Sequence, residues 1–378
     1  MRGFPEAEFV QRCERAQALM AKHNLAALLL TTEPEVRYFT GYLTRFWESP
    51  TRPWFLIVPA KGKPVAVIPS IGAALMGQTW IEDIRTWVAP DLIDDGIGLL
   101  GETLREVAGA KGVIGIPDGH ESHVRMPLKD LDALRSELGA ERFSGDQGIL
   151  AELRMIKSDA EVAKIEEACA IAGRAFARAP SIARKGNGLD EVYRRFQMLC
   201  LEEGADWVPY LAGGAGKDGY GDVISPATQE PLRAGDVLML DTGVVWDGYF
   251  CDFDRNWALG PPSAAVRDAH ARLVEAVDAT ADIARPGKTA SELFEVMNRS
   301  LGGGTDAGRL GHGLGMSLTE WPSLIATDHT VLESGMVLTL EPGLNIGSKV
   351  MVHEENVLIT EGTPRFLSPR IGPEIPVL

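Results

Sequence analysis

Long apolar runs and an excess of positive charge are both missing from this sequence. No run approaches the roughly 20 apolar residues that a membrane span needs. Lysine and arginine number 37 against 53 aspartates and glutamates, which gives a formal net charge of −16 at pH 7. Such a surface repels nucleic-acid phosphates and anionic lipid, so we expect neither nucleic acid nor a membrane as a partner. The N-terminal segment lacks the apolar core of a signal peptide, and we therefore expect a cytoplasmic protein.

Cysteine is also scarce, and its spacing excludes the usual structural uses. The four cysteines are scattered and form no Cys-x-x-Cys pair: Cys13, Cys169, Cys200 and Cys251. This pattern predicts free thiols in a reducing compartment rather than disulfides or a zinc site. No internal repeat or low-complexity segment is visible, which argues against a solenoid.

A chain of 378 residues is too long to fold around one ordinary hydrophobic core, which predicts two domains. In the first part, strand-like and helix-like segments alternate, and residues 54–70 read as two strands joined by a turn. Residues 158–161 form a capping box that begins a long helix. We therefore expect a smaller α/β domain over residues 1–152. An α+β domain over residues 153–378 should carry all the chemistry.

Two aspartates in the second part are placed to converge on one hairpin. An apolar strand ends at Asp241, and Asp247-Gly248 is a strong signal for a two-residue turn. A two-residue turn there pairs Asp252 with Gly243, on the strand face that also carries Asp241. The β-carbons of Asp241 and Asp252 should then lie roughly 5–8 Å apart. Like charges held that close cost stability unless a cation lies between them. Taken alone, the pair is equally compatible with two solvated acids at the end of a hairpin.

Further along the chain, two glutamates are also placed to converge across a turn, and a histidine lies between glycines. Glu341 follows an apolar strand, and Glu354 lies at the same distance on the other side of residues 347–348, so a simple hairpin sets the two glutamates opposite each other. His312 stands between glycines, which allow a close approach of backbone and ligand. Four carboxylates and one imidazole form a hard, oxygen-rich set that suits two divalent cations such as Mn²⁺, Co²⁺, Fe²⁺ or Zn²⁺.

The order and context of these five residues resemble the creatinase/prolidase/methionine-aminopeptidase superfamily of "pita-bread" metallopeptidases. The resemblance extends to the N-terminal segment 38–42, which is similar to the creatinase/Xaa-Pro peptidase branch. It implies a pita-bread catalytic domain after a creatinase-type N-terminal domain. It also implies two metal ions, manganese foremost, that share a hydroxide which attacks a peptide or amide carbonyl. The same branch implies a homodimer, and Phe46 and Trp47 are candidates for the contact between subunits, with packing inside the chain as the equal alternative.

The resemblance assigns each ligand a role. Asp241 would chelate one metal, Asp252 would contact both, and Glu354 would bridge them, while His312 and Glu341 would each bind one ion. Glu341 would also be the general base, and we group it with His312 as the catalytic residues. In this reading the metals lower the pKa of a bound water and clamp a tetrahedral intermediate.

The residues that handle the substrate depart from the family pattern. Thr319 stands seven residues after His312, where peptidases of the family usually carry a second histidine, and Val223 and Ile224 stand where another is usual. His353 adjoins Glu354 and could donate a hydrogen bond in their place, with a structural role as the equal alternative. Trp321 follows the histidine loop closely enough to line the pocket. We therefore predict that substrate contacts involve Thr319, Trp321 and His353.

Three functions remain open at this point. The first is an Xaa-Pro dipeptidase or aminopeptidase that takes a short peptide. The second is a non-peptide enzyme on the same scaffold, resembling creatinase or the metal-dependent dimethylsulfoniopropionate lyases, which the missing histidines favour. The third, a non-catalytic binding module, is disfavoured because all five ligand positions are intact. We expect a small molecule or short peptide as the substrate.

Overall fold

The computed structural model describes residues 2–49, 52–303 and 308–378. The chain divides into two compact units, Met1–Arg154 and Met155–Leu378. None of the helices in the described ranges combines the length and the apolar composition needed to cross a bilayer.

The first unit is built on a six-stranded mixed sheet, with the order β4-β3-β2-β1-β5-β6. Its strands are β1 Leu25–Leu30, β2 Phe55–Pro59, β3 Val65–Pro69, β4 Asp83–Trp87, β5 Val113–Ile116 and β6 Phe143–Gly145. Its helices are α1 Glu6–Lys22, α2 Glu33–Thr40, α3 Ala73–Met76, α4 Ile97–Ala108, α5 Leu128–Leu138 and α6 Ile149–Met155, the last of which ends at the unit boundary. Strands β2 and β3 are antiparallel neighbours, as the turn signal between them predicts.

The central strand of this sheet is apolar because it is buried on both faces. Strand β1 reads Leu-Ala-Ala-Leu-Leu-Leu and, apart from the half-buried Ala26, is fully buried, because helices cover both faces of a central strand. Trp47 is only 7% exposed and packs on Trp54, with ring centroids 5.8 Å apart. Trp47 therefore belongs to the core of this unit, and the expectation that it contacts a second subunit is corrected. Phe46 is half-buried and keeps an accessible edge.

In its described residues, the second unit combines four α-helices with antiparallel sheets. The helices are α7 Asp159–Arg178, α8 Leu189–Glu202, α9 Ala264–Ile283 and α10 Ala290–Ser300. The strands are β7 Trp207–Lys217, β8 Asp236–Trp246, β9 Tyr249–Phe250, β10 Phe253–Ala258, β11 His312–Gly313, β12 Glu320–Ser323, β13 Val337–Leu340, β14 Gly343–Ile346, β15 Lys349–Val352, β16 Glu355–Leu358 and β17 Arg365–Phe366. One sheet has the order β10-β8-β7 with β9 paired to β8, a second has the order β12-β11-β13-β16-β17, and β14 pairs with β15.

Local capping fixes where the helices of this unit begin. At the start of α7, the Ser158 backbone N–H donates to Glu161 Oε2 at 3.0 Å and Ser158 Oγ accepts from the Glu161 backbone N–H at 3.3 Å. This is the capping box that the sequence predicts. Thr289 and Glu292 repeat the motif at α10. Helices α9 and α10 share one buried apolar core with strands β8, β13 and β16.

Candidate metal centre

The first pair of acids is placed by the hairpin of β8 and β9. Asp247 and Gly248 form its turn with φ values of 46° and 81°, the left-handed geometry expected of a two-residue hairpin turn. The pairings before and after Asp252 share one register, so no residue is inserted on either strand. Asp252 therefore falls opposite Gly243 and on the same face as Asp241, as reflection through the turn predicts.

The second pair is placed in the same way by β13 to β16. Gly347 turns the chain with a φ of 62°. The β14–β15 pairing and the β13–β16 pairing share one register across the break between them, which sets Glu341 opposite Glu354. At the break the His353 backbone N–H donates to the Pro342 carbonyl oxygen at 3.1 Å. The equal spacing from the turn thus predicts the position of both glutamates correctly.

Strand β11 brings His312 to these carboxylates. Asp252, His312 and Glu354 each offer a ligand atom, and those atoms lie within 4.8 Å of one another. His312 Nε2 is 3.5 Å from Asp252 Oδ2, and His312 Nδ1 is 2.8 Å from the Gly313 carbonyl oxygen, which fixes Nδ1 as the donor. Burial lowers the pKa of His312 to about 4, so the imidazole is neutral and presents a lone pair at Nε2.

The four carboxylates are buried close to one another, and their pKa values rise as a result. Burial, together with Asp254 and Glu341, raises the pKa of Asp241 to about 8, and burial raises that of Glu341 to about 7. Burial and the neighbouring carboxylates raise the pKa values of Asp252 and Glu354 well above the ordinary range. Such shifts follow when acids are buried close together, and a cation bound between them would oppose the shifts.

Unsatisfied oxygens test whether this donor set fits divalent metal ions. Among the described residues, Asp241 Oδ1, Asp252 Oδ1 and Glu354 Oε1 are buried without a hydrogen-bond partner. Buried polar atoms are almost always paired, so unpaired oxygens on three candidate ligand residues fit the binding of a cation. Together with the neutral imidazole of His312, the set has the hard oxygen-rich character of a divalent metal site.

Asp254 is a residue of the site that spacing alone did not single out. It pairs directly across from Asp241 and is 0% exposed. Asp254 Oδ1 accepts the Glu354 backbone N–H at 2.8 Å and lies 3.2 Å from His353 Nδ1. Strand alternation was the available signal, because Asp252 and Asp254 are two residues apart and share a face. Its contacts make Asp254 a residue that positions Glu354.

Asn356 joins the two hairpins behind the ligands. Its Oδ1 accepts the Asp252 backbone N–H at 2.9 Å, and its Nδ2 donates to the Asp252 carbonyl oxygen. Cys169 Sγ lies 3.3 Å from the same Oδ1. One amide side chain thus holds both backbone groups of Asp252, a candidate ligand, which fixes the direction of its carboxylate.

Tyr210 on β7 holds the remaining aspartate. Its hydroxyl donates to Asp241 Oδ2 at 2.9 Å, while Oδ1 is one of the orphaned oxygens. Burial and the charge of Asp241 raise the pKa of Tyr210, so the phenol stays protonated and acts only as a donor. Tyr210 therefore orients Asp241 with one oxygen directed into the cluster.

The residues predicted to contact substrate lie in different surroundings. Thr319 and Trp321 are half-buried, and Thr319 Oγ1 accepts a hydrogen bond from Arg309 Nη2 at 3.2 Å. His353 is 0% exposed, with Nδ1 directed to Asp254 and Nε2 3.4 Å from Glu355 Oε1. The expectation for His353 is corrected, because a ring enclosed by two carboxylates supports the strand from behind rather than touching substrate.

We expect the metal-free protein to lose stability as the pH rises from about 5 to about 8. Asp241 and Glu341 have folded-state pKa values of about 8 and about 7, above their ordinary values of 3.8 and 4.5. The folded chain therefore binds more protons than the unfolded chain in this window, and the free energy of unfolding falls with pH. Thermal unfolding of chelator-treated protein across this range measures the effect. Added Mn²⁺ should remove it, and a flat metal-free profile would contradict the crowding of these acids.

Comparisons with known proteins identify the class. Residues 163–361 match the model of metallopeptidase family M24, and residues 12–156 match that of the creatinase/prolidase N-terminal domain. Because the first match alone spans more than half of the chain, the chain belongs to metallopeptidase family M24. It is therefore a hydrolase of the pita-bread superfamily, and the predicted fold class, an α+β catalytic domain after a smaller α/β domain, is confirmed. Enzymes of this family use divalent metal ions.

Individual relatives are similar along nearly the whole chain. The probable dipeptidase PepE of Mycobacterium tuberculosis is 27% identical over 374 residues, covering 95% of this chain and 94% of that protein. The Xaa-Pro dipeptidase of Pyrococcus horikoshii is 25% identical over 365 residues, covering 95% and 97%. Among solved structures, dipeptidase PepE from Mycobacterium ulcerans superposes with a TM-score of 0.84 at 27% identity, covering 99% of each chain.

Proposed function

We propose that this chain is a dipeptidase of the Xaa-Pro type that hydrolyses a peptide or amide bond with two divalent metal ions, manganese foremost. The observation that carries the proposal is the buried cluster of Asp252, His312 and Glu354 with orphaned oxygens, set inside the domain that matches a metallopeptidase family. Asp241 and Glu341 complete the ligand set, since their charges act on the same cluster. Relatives named dipeptidase and Xaa-Pro dipeptidase support the substrate class.

Bound divalent ions would lower the pKa of a shared water and polarise the scissile carbonyl. The protein supplies the rest. Glu341 is the half-buried member of the ligand set, while the other four side chains are buried. Its carboxylate is therefore the one that reaches the substrate side, where it takes the proton of the attacking water and passes it to the departing amine. Tyr210 and Asn356 hold Asp241 and Asp252 in place during the reaction.

A non-peptide small-molecule substrate is the second candidate, and one observation favours it. Val223 packs partly against the core, and Ile224 is 80% exposed. Both side chains are hydrocarbons, so neither offers a proton donor. Thr319 has only a hydroxyl. One positioned donor to a developing oxyanion is commonly worth about 10²-fold or more. A site with fewer such donors hydrolyses ordinary peptides slowly unless other groups of this chain replace them.

A substrate screen with defined metals separates the two candidates. Chelator-treated protein is reloaded with Mn²⁺, Co²⁺, Fe²⁺ or Zn²⁺ and assayed with Ala-Pro, a non-prolyl dipeptide, creatine and dimethylsulfoniopropionate. We expect metal-dependent cleavage of Ala-Pro, fastest with Mn²⁺. Turnover of creatine or dimethylsulfoniopropionate without cleavage of either dipeptide would overturn the peptidase proposal in favour of the second candidate.

We also propose that the enzyme is a cytoplasmic homodimer in which residues 153–378 form the catalytic domain and residues 1–152 a separate one. Phe46, half-buried in the first unit, is the remaining candidate for a contact between subunits. Sedimentation at micromolar concentration tests the assembly, and a monomer there would contradict it.

A further inference from the structure

Helix α7 contacts the hairpin that carries Asp241 and Asp252 through a buried carboxylate in its first turn. Glu161 is the third residue of the helix, and its Oε2 accepts the Ser158 backbone N–H as part of the capping box. Its other oxygen, Oε1, accepts the Tyr249 hydroxyl at 2.9 Å. Both side chains are buried. One carboxylate thus joins the start of a helix to the first residue after the hairpin turn.

Lys164 of the same helix holds the other side of that turn. Its ammonium pairs with Asp247 Oδ2, and both side chains are buried. Its Nζ also lies 5.5 Å from the centroid of the Trp246 ring, at the end of β8. The Asp247 backbone N–H donates to Asp206 Oδ2 at 2.6 Å. The turn is therefore held from α7 on both of its sides and from the residue before β7.

The third contact of α7 lies about two turns further along the helix. Cys169 Sγ is 3.3 Å from Asn356 Oδ1, the oxygen that accepts the Asp252 backbone N–H. Because a helix rises about 1.5 Å per residue, Cys169 and Glu161 lie about 12 Å apart along α7. One helix thus fixes the separation between the turn and the backbone of Asp252.

The turn needs such support because its geometry decides where Asp252 lies. Asp247 has a φ of 46°, which is uncommon for a residue other than glycine and which a two-residue turn requires. A turn of another length would shift the strand pairing, and a shift of one residue moves a side chain to the opposite face. Any other arrangement would also leave the buried Lys164 and Glu161 without these partners, which costs free energy.

We infer that Glu161, Lys164, Asp247 and Tyr249 form a clamp, the α7 clamp, whose members are positioning residues for the metal centre. The inference rests on the metal ions of the proposed function. The α7 clamp acts through the backbone of the turn, so its loss weakens metal binding although every candidate ligand is still present. Groups that contact a ligand directly change metal affinity by about 10- to 100-fold, and we expect the α7 clamp to contribute about tenfold.

Calorimetric titration of metal-free protein with Mn²⁺, well below its melting temperature, tests the inference. Tyr249→Phe removes one hydroxyl. The double variant Lys164→Met with Asp247→Asn removes both charges of the buried pair, and asparagine tolerates a positive φ. We expect the Kd for Mn²⁺ to rise about tenfold in each. Tyr38→Phe is the matched control, since it removes a buried hydroxyl that donates to the Leu153 carbonyl oxygen at 3.1 Å in the first unit. It should keep the wild-type Kd.

The melting temperature of each metal-free variant separates positioning from ordinary stabilisation. A lower melting temperature with an unchanged Kd for Tyr249→Phe overturns the α7 clamp and leaves the peptidase proposal standing, as does an equal rise in Kd for Tyr38→Phe. Tyr249→Phe decides the question if the double variant does not fold. If both variants bind Mn²⁺ more weakly but no dipeptide is cleaved by the wild type, the peptidase proposal fails and the α7 clamp stands. Absence of Mn²⁺ binding by the wild type overturns both.

Discussion

Replacement of Asp252 by asparagine is expected to release bound metal and to lower hydrolysis by more than about 100-fold. Loss of a residue that only supports a metal ligand lowers activity by up to about 100-fold, and loss of a ligand should cost more. Asp252 belongs to the cluster with His312 and Glu354, and Asn356 holds its backbone on both sides. The substitution keeps the shape of the side chain and removes its charge. Metal content after dialysis and kcat of the reloaded protein measure the two effects.

The control for this variant is Asp278→Asn on α9, where the carboxylate pairs with Arg370 on the surface. It changes the net charge by the same amount and should leave metal content and kcat at wild-type values. An Asp252→Asn protein with full metal content and full turnover would show that Asp252 is not a ligand.

Glu341→Gln is expected to lower kcat by about 10²- to 10⁴-fold, the usual contribution of a general base, with a smaller change in KM. Glu341 combines partial exposure with a pKa of about 7 in the metal-free chain, which suits proton transfer near neutral pH. Glutamine keeps one oxygen ligand but no longer accepts a proton. Steady-state kinetics with metal content measured on the same sample separates loss of the base from loss of the metal.

Glu295→Gln, at an exposed position of α10, serves as the matched control and should behave as wild type. If Glu341→Gln retains its metal and a kcat within a few-fold of wild type, another group takes the proton. The assignment of Glu341 as the base would then be abandoned.

The two hairpins were predictable from sequence because their geometry is local. The Asp247-Gly248 turn and the alternation of strand side chains are enough to place Asp241 and Asp252 on one face. Equal spacing from Gly347 does the same for Glu341 and Glu354. In each case a turn fixes the register of the two strands, and the register decides on which face of the hairpin each side chain lies.

The supporting residues were not predictable, because they act across long separations. Asn356 is 104 residues from the Asp252 that it holds, and Tyr210 reaches Asp241 from a strand earlier in the chain. No spacing rule connects such pairs. His353 is a different case, since the prediction overlooked a local signal. Neighbouring residues of an extended chain point to opposite faces, so the side chain next to Glu354 faces away from the candidate metal site.

Titration of the metal-free protein with Mn²⁺ tests the central claim most directly, with bound ions and hydrolysis of Ala-Pro followed on the same samples. We expect two ions bound per chain, with hydrolysis absent from the chelated protein and maximal once the second ion is bound. Full hydrolysis by the chelated protein, or binding that saturates without any gain in hydrolysis, would contradict a dinuclear catalytic centre at Asp241, Asp252, His312, Glu341 and Glu354.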